Sequence, residues 1–221
     1  MAVAMNLPRR PERNTTAGVV PPPESRRAAV WDRPVPGAGR APLVWLLGVH
    51  GGAGASSLAH VLAPAADSGR RWPGVFERES PFVVLVARET IAGLTHAHDL
   101  LRQHHSGFAG PSQVLGLITV AARPGRMAPE IRRYRDVVAS LAGRVWQVPW
   151  YEEWTLVEPE KLPVWTPGVA TAPQRRRRID PLDEVPLDIR ELGSEIVAAA
   201  RAALEESEAA PTRGRSRFVE E

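Results

Sequence analysis

Leu43-Val44-Trp45-Leu46-Leu47-Gly48-Val49, His50-Gly51-Gly52-Ala53-Gly54-Ala55 and Ser56-Ser57-Leu58-Ala59-His60-Val61-Leu62-Ala63 run on without a break, and their reading decides the fold. The first stretch is continuously apolar, as in a strand buried on both faces. The second is a glycine-rich turn. The third has the texture of a short helix, stopped by Pro64. Glycines between a strand and a helix let backbone N–H groups converge on an anion, and a hydroxyl at the helix start can hold Mg²⁺.

The unit recurs downstream. Phe82 to Val86 is a second buried strand, with a helix from about Ile91 to His105 after it. Val114 to Val120 is a third strand, followed by the turn Arg123-Pro124-Gly125 and a helix from about Pro129 to Leu141. Val145 to Val148 is a fourth strand. Strands alternating with helices of this length predict βαβ units. The expected fold is a three-layer α/β domain over 42–150, built on a parallel sheet of four strands.

Around this core, residues 1–41 are rich in Arg and Pro and show no period, which predicts disorder. Residues 151–185 read as an irregular Pro/Arg-rich linker. Residues 186–208 form an amphipathic helix, with Ile189, Leu192, Ile196, Val197, Ala200, Ala203 and Leu204 on one stripe. Residues 209–221 read as a frayed tail.

Composition narrows the chemistry. The 221 residues contain no cysteine, which removes disulfides, thiolate metal sites and a cysteine nucleophile. Of 28 basic residues, 27 are Arg and only Lys161 is Lys, so no lysine-dependent mechanism is open elsewhere in the chain. No apolar run reaches membrane-spanning length, and a cytoplasmic protein without direct membrane insertion is expected.

The turn His50-Gly51-Gly52-Ala53-Gly54-Ala55-Ser56-Ser57 resembles the deviant Walker motif of the ParA/MinD-like ATPases, Lys-Gly-Gly-x-Gly-Lys-Thr/Ser-Thr/Ser. Gly51, Gly52, Gly54, Ser56 and Ser57 match position for position. His50 stands at the signature lysine and Ala55 at the phosphate-binding lysine. Val83 to Thr90, Val114 to Val120 and Val145 to Trp154 are similar to later strands of that family, so the resemblance covers about 42–160. It implies a truncated P-loop NTPase-like domain that takes ATP or another nucleotide with Mg²⁺. The implied contacts are His50 through Ser57, with Ser56 as the Mg²⁺ ligand; Arg88 is a further candidate, as a charge at the carboxyl edge of the sheet where α/β ligands bind.

The family also places a strand ending in Asp between the loop helix and the later strands. No such strand is recognised in the interval Pro64 to Pro81, and 82–86 runs into Ala87-Arg88-Glu89. Phosphoryl transfer depends on positioned charge, so without the lysines and that acid no rapid hydrolysis is expected. Three readings stay open: a turn that merely kept its glycines, a nucleotide-binding or scaffold component, and a weak ATPase using Arg70, Arg71, Arg88 or Arg123. The sequence is also similar to an actinobacterial family of MinD-like proteins met around conjugation, partition or secretion machinery. That likeness implies a protein partner, either a cognate ATPase or a membrane-associated assembly.

Other features have plainer readings. His96, His98, His104 and His105 show no i,i+4 ligand pair, so a helix surface is expected rather than a metal site. Trp146, Trp150 and Trp154 are spaced for a base-stacking platform, but Pro149 interrupts them and packing is the simpler role. Arg175 to Arg178 and the arginines before residue 40 would attract nucleic acid, which keeps a nucleic-acid-binding accessory protein as an alternative, although acids follow at once from Asp180.

Overall fold

The computed structural model describes residues 18–36, 41–76, 79–168 and 180–209. Five strands form one sheet: β1 (Val44–Gly48), β2 (Ala65–Asp67), β3 (Phe82–Arg88), β4 (Gln113–Val120) and β5 (Val145–Val148). All pair in parallel, in the order β2-β1-β3-β4-β5. In such a doubly wound order the connections leave β1 and β3 in opposite directions, opening a crevice at the carboxyl ends of the strands. The expected four strands are therefore five. β2 escapes the sequence pattern because it is three residues long and half-buried.

The helices are α1 (Ala55–Val61), α2 (Ile91–His105), α3 (Pro129–Ala142) and α4 (Leu187–Ala209). Alternation along the strands divides the core in two. Val44, Leu46, Val84, Val86 and Ile118 face Leu58 and Val61 of α1 and Ile189, Leu192 and Ile196 of α4. Trp45, Leu47, Val83, Leu85 and Leu117 face Leu94, Ala97 and Leu101 of α2 and Val138 of α3. The chain is thus three-layered, with the central strands β1 and β3 buried on both faces as their unbroken apolar runs require.

Local signals fix the ends. The Thr90 hydroxyl accepts the Gly93 N–H at 3.0 Å and caps α2. Pro129 opens α3, and Gly143, with φ of 71°, follows its last turn. On α4 the apolar stripe is buried as expected except for Leu204, which is 46% exposed beyond the sheet's reach.

Two expectations about the flanks need correction. Residues 18–36 are not disordered: they lie along α2 and the β2–β3 connection, with a 3₁₀ turn at Glu24–Arg26. Trp31 N–H donates to Trp72 O at 2.8 Å and Trp72 N–H to Ala29 O at 2.9 Å. The Gln103 amide brackets Ala28, accepting its N–H at 2.9 Å and donating to its carbonyl at 2.7 Å. Order comes from a template of main-chain groups that composition does not display. The stretch 151–168 is irregular but packed, with Leu162 buried and Trp165 N–H on Val61 O at 2.7 Å. Residues 1–17, 169–179 and 210–221, with Arg175 to Arg178 among them, lie outside the described residues. No described helix is long and apolar enough to cross a membrane.

Candidate functional site

β1 delivers the glycine turn to the carboxyl edge of the sheet. Gly52 and Gly54 take φ of 75° and 99°, a region that side chains with a Cβ rarely enter. Gly54 then starts α1, which has only seven residues and thus a small dipole. Gly51 and Gly52 are exposed at the apex. Ala53 and Ala55 are 2% and 6% exposed and turn back into the core. Ser57 lines a small hollow of about 70 Å³ with Gly54, Arg88, Val120 and Trp150.

Ser56 has a partner that sequence reasoning missed. Its hydroxyl donates to Asp67 Oδ2 at 2.6 Å, while Asp67 Oδ1 accepts the Gly69 N–H at 2.8 Å. Asp67 closes β2, which pairs with β1 so that Leu46 lies opposite Asp67. A strand ending in aspartate does therefore lie between the loop helix and the later strands. Its trace in the sequence is slight: an acid closes the short stretch Ala65-Ala66-Asp67 ahead of Ser68-Gly69, with no strand-forming residue before it. Hydroxyl and carboxylate offer two hard oxygen donors side by side, which suits Mg²⁺ when phosphate and water complete its shell.

Arg70 comes directly after the turn Ser68-Gly69 and takes φ of 60°, left-handed for a residue with a side chain. Backbone strain of this kind persists where the surroundings hold it. The Arg70 guanidinium reaches back over the glycine turn, with Nη1 3.8 Å from where a Cβ on Gly51 would sit. It has no hydrogen-bonding or ionic partner among the described residues, so its charge is available at the apex.

His50 and Arg88 do something different from what their sequence positions suggest. His50 Nδ1 lies 2.8 Å from Gly51 O, and Nε2 accepts the Arg88 N–H at 3.3 Å. That pairing fits the neutral ring protonated on Nδ1, which joins the ends of β1 and β3. Arg88 donates from Nε to Gly52 O at 2.9 Å and from Nη1 to Ala121 O at 2.8 Å. Burial lowers its pKa from the usual arginine value. Both side chains clamp the turn to the sheet edge, and Arg88 also lines the hollow beside Gly54 and Ser57. Gly93 makes the arrangement possible, because a Cβ there would come within 2.9 Å of His50 Nε2 and 2.4 Å of Arg88 O.

The remaining candidates make contacts within the fold. His96 bonds to Ala92 O, His98 meets the Tyr134 ring edge-on, and His104 stacks on Trp72. No group of three His, Asp or Glu among the described residues could hold a metal ion. Trp146 is buried and donates to Glu195 at 2.9 Å, while Trp154 stacks on Tyr151 at 4.8 Å, so the three tryptophans form no continuous platform.

No protein-family model, curated protein or solved structure matches the chain.

Proposed function

We propose that this chain binds a nucleotide with Mg²⁺ at the glycine turn without rapid hydrolysis, as a binding or scaffold component. The partner in this reading is a cognate ATPase or a membrane-associated assembly of an actinobacterial conjugation, partition or secretion system. The observation that carries it is the Ser56–Asp67 hydrogen bond beside the turn, with the Arg70 guanidinium over Gly51. Two oxygens suit the metal, and one arginine suits a phosphate. The lysines that would follow charge through phosphoryl transfer are absent from the turn.

Calorimetry with ATP and ADP, with and without Mg²⁺, tests the reading. Binding should require Mg²⁺ and weaken about tenfold or more in Asp67→Asn and in Arg70→Ala, each a loss of a charged contact. No heat at millimolar nucleotide would reject it. A second reading, a slow ATPase, has one observation in its favour: Asp67 supplies the acid whose absence argued against hydrolysis. Phosphate release that Arg70→Ala abolishes would select that reading.

A further inference from the structure

A second cavity lies away from the glycine turn. A cleft of about 790 Å³ lies farther along the carboxyl edge, between the β4–α3 connection and the exit of β5. Arg123 and Arg126 enter it from the turn after β4, and Arg132 and Arg135 from α3. Arg135 is engaged, lying 3.2 Å from Asp136 and 4.0 Å from Glu89. Arg123, Arg126 and Arg132 are exposed, and their guanidinium groups make no hydrogen bond or ion pair with any described residue. Glu89 is the one acid in the described lining, and it is already held by Arg135 and by the Thr119 hydroxyl at 2.9 Å.

We propose that this cleft binds a small ligand carrying two or more phosphoryl groups, at a site separate from the glycine turn. Three guanidinium groups facing one concave space repel one another, and an anion shared among them relieves that repulsion. Guanidinium forks match phosphate oxygens in geometry as well as charge. The volume lies within the range of small-molecule sites. A nucleic-acid backbone fits less well, because acids alternate with the arginines on the elements that form the cleft: Glu130 and Asp136 on α3, and Glu152 and Glu153 after β5.

The test is calorimetric titration of the full chain with inorganic tripolyphosphate at low salt. Binding is expected, about tenfold weaker in Arg126→Ala and in Arg132→Ala, and partly restored by Arg126→Lys. Ser56→Ala and Asp67→Asn should leave it unchanged, which separates this site from the proposed nucleotide site. Thermal melts of the variants check that the fold is intact, as expected for exposed side chains. Absence of binding, indifference to both arginines, or loss in the Ser56 and Asp67 variants instead overturns the proposal. A short single-stranded DNA that binds more tightly than tripolyphosphate through the same arginines also overturns it, in favour of a nucleic-acid surface.

Discussion

The Arg88 guanidinium sits between two main-chain carbonyls, Gly52 O and Ala121 O, at 2.9 and 2.8 Å. Arg88→Ala leaves both to water and frees the turn from β4, with an expected loss of about 1–2 kcal/mol in urea denaturation. Arg88→Lys, with no planar fork, should recover less than half of it. His104 sets a pH dependence. Burial, with His105 beside it, pushes His104 from 6.5 down to about 4. The folded value lies below the unfolded one, so between those limits the unfolded chain binds the additional proton. Stability is full above about pH 6.5 and falls as the pH drops toward 4, by roughly 3 kcal/mol from this residue. Denaturation midpoints measured from pH 7.5 to 4.5 should fall less in His104→Gln than in the parent chain.

At the scale of elements, β1, β3 and most of β4 are legible because strands buried on both faces must be apolar, and the edge strand β5 is legible from Val145, Trp146 and Val148. β2 is not: Ala65-Ala66-Asp67 has no β-branched residue, and alanine favours helix. Its pairing with β1, not its own propensity, makes it a strand, and the Asp67 carboxylate beside Ser56 was overlooked along with it. The start of α2 offers a test of close approach. Gly93→Ala should gain helix propensity of about 1 kcal/mol, yet the added methyl meets Arg88 O at 2.4 Å. A net loss of about 1–3 kcal/mol is expected in thermal unfolding, as for other overpacked sites. A gain in stability would show that the His50–Arg88 clamp yields easily.

For the whole molecule, the segment 18–36 belongs to the core as much as any helix does. It covers Trp72, which is fully buried, and places Arg26 3.5 Å from the Asp99 carboxylate, itself 4% exposed. Deleting residues 1–36 should cost at least about 3 kcal/mol, because it strips apolar cover, removes both hydrogen bonds between the Gln103 amide and Ala28, and unpairs part of Asp99. An unchanged denaturation midpoint would make the segment an appendage. The sequence conceals this role because the contacts are made by backbone groups within a Pro- and Arg-rich composition. The same packing imposes an order of events during synthesis. Ala28 meets Gln103, 75 residues later in the chain. At about 5–20 residues per second, the arm waits roughly 4–15 seconds after it emerges before its docking surface exists. Through that interval Val30, Trp31 and Val35 remain in water, and a segment made ahead of every strand is among the last to find its place.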